Sequence, residues 1–463
     1  MKEQDFIRSN NKNICFVANF EKTFVFDKIA AKFALKHPNV KVFWIVVNSK
    51  LYSYLKSQNK VANILYLPTN IIDNTEAIVV DDFSINEIVI HDRFLSLDME
   101  SGINYLNKIK KHIYKFIKNN NITHIFGEST WGHELLISRI CKNIQELNCQ
   151  YYSPQIIRLP QDRFAFFSNE CENIEKDNSF DYQKLNYQTI ILERQEYIDK
   201  LATEVKNSVS FKKRINRLSK FITKENIFNE DPSTLNCFID RLKIGLKDEW
   251  NKTTYQFVKK YKLADLSSCQ KYLYTLHVQP EASIDVLGRY YSCQYTNIIN
   301  IWKNMPEETI LMVKEHRTGI GNRSFSFYKK ILKLKNVFLI SENEDSHVLI
   351  KNSKAVFTVS GTIAYEAALI GKPSFTFASV FFNNLVNCHK LNLEDFVNFK
   401  SLAELIKEKS RDNKNKMDIE LFSNFLYYNS FKGSWNPDSL VTFSDSNVEL
   451  LMTSIFSLLN STK

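Results

Sequence analysis

The feature that most constrains this chain is an alternation of short apolar runs and amphipathic helical stretches, which occurs twice along its 463 residues. The first series includes apolar runs at residues 13–19, 40–48 and 122–126, each followed by residues with helical spacing. Short apolar strands separated by amphipathic helices are typical of a parallel sheet, because each step to the next strand needs a crossover connection. The series therefore predicts a doubly wound α/β domain over residues 1–180.

A second series of the same kind begins at residue 271. Its five apolar runs predict strands at 272–278, 309–314, 337–340, 355–359 and 374–377. With four crossover helices, these strands make a second Rossmann-like lobe over residues 266–390. The charged residues 181–265 are interpreted as a helical linker, and residues 391–463 as helices that pack back across the lobes. We expect the carboxyl ends of the strands of the two lobes to face a cleft, where ligands of open α/β sheets bind.

Composition limits the class of protein. Hydrophobic residues make up 44% and charged residues 24% of the chain, which are ordinary globular values. No apolar run of about 18 residues occurs, so no transmembrane helix is predicted, and the first residues lack the apolar core of an export signal. The eight cysteines form no CxxC pair. We therefore expect a cytoplasmic protein with reduced thiols.

The net charge of +10 is concentrated in two basic stretches, residues 108–118 and 206–224, which carry apolar residues at helical spacing. The simpler interpretation of each is a solvated helix face. The functional interpretation is peripheral attachment to the anionic inner membrane, where each cation contributes about 1 kcal/mol. The chain carries no recognised nucleic-acid motif, so nucleic acid is not expected as a partner.

Polar residues follow the predicted strands of the second lobe. Ser360, Gly361 and Thr362 open a helix after the strand at 355–359, where glycine lets an anion approach and the helix amides stabilise phosphate. Glu366 lies in the first two turns, where its carboxylate can accept from ribose hydroxyls. The alternative is an ordinary helix cap, which Ser and Thr also provide.

A second candidate loop follows the strand at 309–314. Lys314 and His316 would neutralise a departing phosphate or diphosphate, and Arg317 adds charge as a possible sugar contact. The alternative is a loop with solvated cations. The remaining candidates for nucleotide binding stand at strand ends or beside Lys314, and they are Glu315, Gln279, Glu281 and Ser341.

In the first lobe, Glu128 follows the strand at 122–126. A carboxylate there can act as general base on an acceptor hydroxyl, or as nucleophile toward an anomeric carbon. Capping of a strand–helix turn is the alternative role. His133, Arg158 and Arg163 are candidates for binding the acceptor or the sugar, and surface or core polar residues are the competing interpretation. No DxD-like motif follows a strand, so neither a metal nor another cofactor is expected.

The order of QPEAS at 279–283, KEH at 314–316 and SGTIAYEAALIGKP at 360–373 resembles the bacterial capsule polysaccharide biosynthesis family. That family includes Kdo-transferase-like enzymes of capsule and lipopolysaccharide assembly with a GT-B fold. The resemblance implies that His316, Ser360 and Thr362 contact the nucleotide phosphate and that Glu366 contacts the ribose. It also implies a nucleotide-sugar donor, such as CMP-activated Kdo, and a glycan or glycolipid acceptor. The sequence departs from the family pattern at Arg317, where proline is usual, and its first lobe offers only Gly127-Glu128-Ser129 as an acidic motif.

Two other functions fit the same sequence. A hydrolysing UDP-GlcNAc 2-epimerase would use the same two lobes, and would release UDP and ManNAc from UDP-GlcNAc without an acceptor. A non-enzymatic scaffold for membrane surfaces or nucleic acid would use the two basic stretches, and would bind DNA with a steep salt dependence. The expected function is a metal-independent glycosyltransferase.

Overall fold

The structure is a computed structural model, and it describes residues 12–58, 63–72, 83–168, 170, 174, 215–216, 219, 231–234, 238–412, 416–436 and 439–461. The chain divides into two compact units. Unit 1 comprises residues 1–171, 226–237 and 426–463, and unit 2 comprises residues 172–225 and 238–425. A strand expected near 77–80, a helix expected at 187–206, and nearly all of the basic stretch 206–224 lie outside the described residues.

The secondary structure alternates between strands and helices along the chain. The strands are β1 (Asn13–Ala18), β2 (Lys41–Val46), β3 (Ile64–Tyr66), β4 (Ile122–Phe126), β5 (Gln150–Ile156), β6 (Arg163–Ser168), β7 (Lys271–Thr275), β8 (Ile310–Lys314), β9 (Val337–Ile340), β10 (Ala355–Thr358), β11 (Ser374–Thr376), β12 (Cys388–Lys390) and β13 (Phe431–Lys432). The α-helices are α1 (Lys22–Lys36), α2 (Ser49–Ser57), α3 (Ile85–His91), α4 (Met99–Asn119), α5 (Gly132–Asn143), α6 (Phe238–Tyr255), α7 (Ala282–Asp285), α8 (Gln294–Lys303), α9 (Phe325–Leu332), α10 (Ser346–Lys351), α11 (Thr362–Leu369), α12 (Leu393–Asn398), α13 (Leu402–Arg411), α14 (Ile419–Tyr428) and α15 (Asp445–Ser461). Short 3₁₀ turns occur at Leu95–Leu97, Gln145–Leu147, Leu263–Asp265, Arg289–Tyr291, Arg317–Gly319, Phe381–Asn384 and Leu440–Phe443.

A seven-stranded sheet forms the centre of unit 1, in the order β13-β6-β5-β4-β1-β2-β3. The strands from β5 to β3 are parallel, while β6 and β13 add an antiparallel edge. After β1 the chain forms β2 and β3 on one side of that strand, and it later forms β4 on the other side. That reversal opens a crevice beyond the carboxyl ends of β1 and β4, which is where ligands of doubly wound sheets bind.

The core of unit 1 joins the two ends of its chain. Helix α1 buries Val25, Phe26, Ile29 and Phe33 at helical spacing against the sheet. The same cluster includes apolar residues of α15 near the C-terminus, which are Val448, Leu451, Met452, Ile455 and Leu459. These residues of α15 are thus part of the same hydrophobic core as the residues of β1.

Unit 2 contains a six-stranded, entirely parallel sheet in the order β12-β11-β10-β7-β8-β9. Numbered within the unit, this is the 3-2-1-4-5-6 order of dinucleotide-binding folds, with its switch point between β7 and β10. The sequence predicted five strands, and β12 is the additional sixth. Its three residues pair in parallel with β11, from Ser374 opposite Cys388 onward.

The fold class predicted from the sequence is confirmed: the protein is α/β and contains two Rossmann-like lobes, as a GT-B-like chain does. The basic stretch 108–118 lies in α4, as expected for a helix. Ile109, Ile113 and Ile117 of that stretch are buried in unit 1, so its apolar side is core rather than a surface for lipid. Among the described residues, no helix is long and apolar enough to cross a membrane.

Candidate functional site

Three loops of unit 2 meet at the switch point of its sheet. They follow β7, β8 and β10, which are neighbours in the order β8-β7-β10. The amide of Leu276 donates to the carbonyl of Lys314 at 2.9 Å, and the amide of Ser360 donates to His277 Nε2 at 3.2 Å. His277 therefore lies between the loop that carries His316 and the turn that carries Ser360.

The start of α11 has the features of an anion site. Gly361 is its N-cap residue, with φ −68° and ψ 140°, and no side chain caps the first turn. Within the described part of the chain, no hydrogen bond occupies the amides of Gly361 and Thr362. Thr362 is exposed, so its hydroxyl and amide are accessible to a ligand. Open amides at the positive end of a helix favour phosphate.

Ser360 does not contribute to this open turn in the way the sequence predicted. Its hydroxyl donates to the carbonyl of Ser283, and its amide is used by His277. Both hydrogen-bond donors of Ser360, the hydroxyl and the amide, are therefore used within the protein. In this arrangement Ser360 orders the turn, and Thr362 is the residue that can donate a hydroxyl proton to a phosphate.

His316 lies at the exposed side of the same site. Its Nδ1 is paired with the hydroxyl of Thr318 at 2.7 Å and receives the Thr318 amide at 3.3 Å, so the neutral ring carries its proton on Nε2. Desolvation and then the cations Lys314, Arg323 and Arg317 lower the pKa of His316 to about 4. A bound phosphate would oppose them and raise the pKa.

Two cations flank His316. Lys314 is buried and its ammonium donates to Ser346 Oγ at 2.7 Å, which fixes the charge at the end of β8. The Nε of Arg317 donates to the carbonyl of Glu342 at 3.0 Å, and the side chain remains partly exposed. The loop after β8 thus carries two cations whose side chains are held by residues that follow β9.

Glu315 lies inside unit 2 rather than at a ligand surface. Its side chain is fully buried. Its oxygens accept from Arg323 Nη1 at 2.7 and 2.9 Å and from the hydroxyl of Tyr328 at 2.6 Å. A buried carboxylate needs such partners because its charge has lost its water. The sequence predicted a nucleotide contact at Glu315, and its burial makes it an internal anchor of the loop instead.

The other predicted nucleotide contacts have mixed positions. Gln279 is used internally, because its amide donates to Asp285 Oδ1 at 2.7 Å and to the Ser292 carbonyl at 3.3 Å. The carboxylate of Glu281 accepts from the exposed Ser283 hydroxyl at 3.0 Å. Ser341 forms part of the turn after β9, where its hydroxyl accepts the amide of Asn343.

Glu366 lies one turn into α11, on the helix that begins at the open amides. Its side chain is 17% exposed, and Oε2 is 4.0 Å from Nε2 of His347, which belongs to α10. A position one turn beyond a phosphate site is within reach of a sugar attached to that phosphate. The sequence prediction for Glu366 therefore stays a proposal.

Unit 1 brings two carboxylates together at its own switch point. The amide of Asn19, directly after β1, donates to Glu128 Oε2 at 2.9 Å and to Glu134 Oε1 at 3.1 Å. Lys22 forms an ion pair with the other oxygen of Glu128, whose side chain is 24% exposed. Glu128 is thus held by two partners while part of its carboxylate faces solvent.

Glu134 fixes the loop that carries Glu128. It is fully buried and accepts the amides of Glu128, Thr130 and Trp131 at 3.1–3.2 Å, in addition to the side chain of Asn19. Burial and then the neighbouring Glu128 raise the pKa of Glu134 above its ordinary value, and the amide donors oppose that shift. The Glu134 side chain also reaches back to cap α5.

An aromatic group lies beside these carboxylates. Phe20 follows Asn19, has φ +39° and is 46% exposed. Its ring is 5.8 Å from that of Trp131, which is also packed by Phe94 at 5.5 Å and by the guanidinium of Arg93 at 5.2 Å. An exposed aromatic face suits the apolar face of a sugar ring.

The three remaining candidates have different environments. His133 is buried, and desolvation lowers its pKa to about 3, so its ring is a neutral part of the core. Arg163 donates to Ser430 Oγ at 2.8 Å and to the Tyr427 carbonyl at 2.9 Å, which ties β6 to the C-terminal residues. Arg158, partly exposed, follows β5 at the same sheet edge as Glu128.

Two residues of these two sites, Glu134 and His277, were not singled out from the sequence. Asn19 and Lys22 lie in the segment 19–23 after the first predicted strand, which was expected to border the acceptor side. His277 was counted within the predicted strand 272–278, whereas β7 ends at Thr275, which puts His277 in the loop. Glu134 follows the turn at the spacing of a capping box, and that signal could have identified it.

No protein-family model and no curated protein matches the sequence. The chain is similar to solved structures at low identity. KpsC of Thermosulfurimonas dismutans, a β-Kdo 2,7-transferase, is 10% identical with a TM-score of 0.39, and the match covers 98% of this chain and 100% of that one. The UDP-GlcNAc 2-epimerase of Methanocaldococcus jannaschii is 13% identical with a TM-score of 0.26, covering 90% and 98%. The enzyme of the same name from Neisseria meningitidis, bound to UDP-GlcNAc, is 12% identical with a TM-score of 0.25, covering 90% and 99%. Such values establish neither a family nor an activity.

Proposed function

We propose that the protein is a metal-independent glycosyltransferase that takes a sugar from a nucleotide donor and transfers it to a glycan or glycolipid acceptor. Unit 2 binds the donor nucleotide and unit 1 supplies the acceptor-activating carboxylate. The observation that carries the proposal is the uncapped start of α11 beside a cationic loop, at the switch point of a 3-2-1-4-5-6 sheet.

The roles of the residues that bind the nucleotide donor follow from the negative charge that develops during transfer. Breaking the bond between the sugar and the phosphate leaves negative charge on the phosphate oxygens. The amides of Gly361 and Thr362, the Thr362 hydroxyl and the Nε2 proton of His316 are donors for that charge, and Arg317 adds a cation. His316 is held by Thr318, and Arg317 by the carbonyl of Glu342, before any ligand binds, so these two groups need little reorganisation as the charge develops.

Glu128 is the proposed general base for the acceptor hydroxyl. Asn19 and Lys22 hold its two oxygens, and solvent reaches part of the side chain. Proton transfer to such a carboxylate contributes about 10²–10⁴-fold in rate. We infer that Phe20 offers its exposed face to the acceptor sugar, and that Arg158 adds positive charge at the same sheet edge.

The more specific part of the proposal is the identity of the nucleotide-sugar donor. Glu366 is proposed to bind the ribose, and Arg317 the carboxylate of an acidic sugar. These roles favour a CMP-activated acidic sugar such as Kdo, transferred to a capsule or lipopolysaccharide glycan at the inner membrane. The support is the cationic character of the loop after β8 and the resemblance of its motifs to the capsule polysaccharide biosynthesis family.

The test is a thermal-shift panel of CMP, CDP, UDP, GDP and their sugars. A ligand present at about a hundred times its dissociation constant stabilises a protein by about 2.7 kcal/mol. We expect one nucleotide to stand out, and its shift to disappear in His316→Ala, Thr362→Ala and Arg317→Ala. Arg411→Ala is the matched control, because Arg411 is an exposed arginine of unit 2 at the end of α13.

Two outcomes would contradict the proposal. One is a shift that survives all three site substitutions, and the other is the absence of any nucleotide effect on the wild type. A related activity is separated by incubation with UDP-GlcNAc alone. Release of UDP and ManNAc without an acceptor would assign the chain to the hydrolysing 2-epimerase class instead.

A further inference from the structure

His277 contacts the proposed phosphate turn directly, although it was not among the residues predicted from the sequence. Its Nε2 receives the amide of Ser360 at 3.2 Å and lies 2.8 Å from Thr358 Oγ1. Its own backbone is fixed on both sides, because its amide donates to Gln294 Oε1 at 2.7 Å and its carbonyl accepts from Arg323. The position of the His277 ring next to the turn at 360–362 is therefore fixed.

The contacts determine the protonation state of the ring. An amide that donates to Nε2 requires a lone pair there, so the proton of the neutral imidazole is on Nδ1. Desolvation, and then His316 and Arg323, lower the pKa of His277 to about 3. An imidazolium would set two N–H groups against each other at this contact. The ring acts as a hydrogen-bond acceptor throughout the neutral pH range.

The backbone of Gly361 lies directly against the ring. A Cβ atom at Gly361 would be 3.4 Å from both Cε1 and Nε2 of His277, and 2.7 Å from Thr358 Oγ1. The position of the ring therefore decides where the peptide before α11 lies. The same peptide determines the direction of the open amides at Gly361 and Thr362.

We propose that His277 is a positioning residue for the nucleotide phosphate: its Nε2 holds the amide of Ser360 so that the next amides, at the start of α11, point at the ligand. This inference rests on the proposed function of that site. It assigns His277 no proton transfer, since its protonated nitrogen is Nδ1 and its Nε2 is engaged by protein.

Two substitutions separate the effect of the hydrogen-bond acceptor on His277 from the effect of the volume of its ring. His277→Gln keeps an oxygen that can reach the Ser360 amide, and His277→Leu keeps a similar volume without an acceptor. The loss of one preorganised hydrogen bond to the phosphate corresponds to about ten- to a hundredfold in affinity. We expect His277→Leu to weaken binding of the nucleotide by that factor in calorimetric titration, and His277→Gln to remain within about threefold of the wild type.

The second readout is hydrogen exchange in the absence of ligand. We expect amides of the segment 359–364 to exchange faster in His277→Leu than in the wild type, and His277→Gln to restore the wild-type rate. If His277→Leu does not fold, His277→Asn replaces it, because the shorter amide cannot reach Ser360. The titrated probes are CMP and UDP, with inorganic pyrophosphate as a probe of the phosphate site alone.

The outcomes are distinct. Equal affinity of wild type and His277→Leu would overturn the inference and leave the proposed function standing. Loss of transfer in both variants with unchanged affinity would also overturn it, because that pattern belongs to an acid–base catalyst. A wild type that binds none of the probes would overturn the proposed function and this inference together.

Discussion

Two fully buried carboxylates, one in each unit, accept hydrogen bonds that fix a loop after a strand. Glu134 gathers the amides of the loop after β4, and Glu315 gathers Arg323, Tyr328 and its own neighbouring amide in the loop after β8. Burial raises the pKa of both. Neither can meet a ligand, yet each fixes a residue that is proposed to do so, which is Glu128 in unit 1 and His316 in unit 2.

Glu134→Gln tests the first of these anchors. An amide group in place of Oε2 would face the N–H groups of Thr130 and Trp131, which then have no acceptor. We expect the free energy of unfolding of unit 1 to fall by about 2–3 kcal/mol, measured by urea unfolding with tryptophan fluorescence. The matched control is Glu146→Gln, because Glu146 is 57% exposed and solvent screens its ion pair with Lys118. Equal losses in the two variants would contradict the prediction.

His133 leads to a prediction about pH. Its pKa is lowered from 6.5 to about 3 by burial, so the unfolded chain takes up a proton at a pH where the folded chain does not. The folded state is therefore fully favoured above the unfolded pKa and loses about 1.4 kcal/mol per pH unit as the pH falls towards the folded pKa. We expect His133→Leu to remove this loss. Between about pH 7 and pH 5, the wild type should lose about 2 kcal/mol more than the variant in urea unfolding, and parallel pH profiles would refute this.

At the scale of elements, the two ends of α11 have different requirements. Gly361 precedes the helix with an ordinary φ of −68°, and its small size is needed because Thr358 and His277 lie against it. Gly371 follows the helix with φ +76°, and a Cβ there would meet no atom within 4 Å. Gly361 is required by packing at the proposed ligand site, and Gly371 by backbone conformation.

Alanine substitutions should separate the two requirements. We expect Gly361→Ala to reduce nucleotide affinity by about tenfold or more, because the added methyl displaces the turn that directs the amides. We expect Gly371→Ala to cost about 1 kcal/mol of stability and to leave nucleotide affinity unchanged. Titration calorimetry and thermal unfolding of both proteins provide the measurements. Unchanged affinity in Gly361→Ala would show that the turn is not a ligand site.

Most elements could be predicted from the sequence, because buried parallel strands are continuous apolar runs and their helices are amphipathic. The runs at 122–126 and 337–340 match β4 and β9. Strand β13 could not be predicted because it has only two residues, and β12 could not because its residues are Cys, His and Lys rather than an apolar run. Strand β13 also pairs with β6, far away in the chain, and local periodicity contains no information about such pairing.

The candidate sites could be predicted in part for a related reason. Thr362 and His316 follow apolar runs, so the rule of strand ends points to them. The same rule missed His277, because two hydrophobic neighbours, Leu276 and Val278, extended the apparent strand past it. Whether a polar side chain faces a ligand or an internal partner also depends on distant residues. Ser360 is the example, since Ser283 and His277 occupy its protons.

At the scale of the whole molecule, unit 1 combines residues 1–171 and 426–463 with the short segment 226–237, and unit 2 consists of the other residues in the sequence between them. Leu451 and its neighbour Leu450 test this arrangement. Leu451 is fully buried in the core cluster of unit 1, whereas Leu450 is 38% exposed. We expect Leu451→Ala to destabilise unit 1 by about 2–5 kcal/mol and Leu450→Ala to have a much smaller effect.

Hydrogen exchange locates the effect of these two substitutions. In Leu451→Ala, amides of β1, β2 and α1 should lose protection, although they lie some four hundred residues earlier in the chain. Amides of β7, β8 and β10 should keep theirs, because they belong to the other unit. A uniform loss of protection across both units would contradict the division into two separately stable parts.

The position of α15 also has a consequence for synthesis. A ribosome that has finished residue 171 must add the whole of unit 2 before Leu451 and Ile455 emerge to cover β1 and α1. At about 5–20 residues per second, that interval lasts roughly 15 to 60 s. During it, the nascent first lobe exposes apolar surface while the second lobe can already fold, so the unfinished chain is a natural client for chaperones that bind at the exit tunnel.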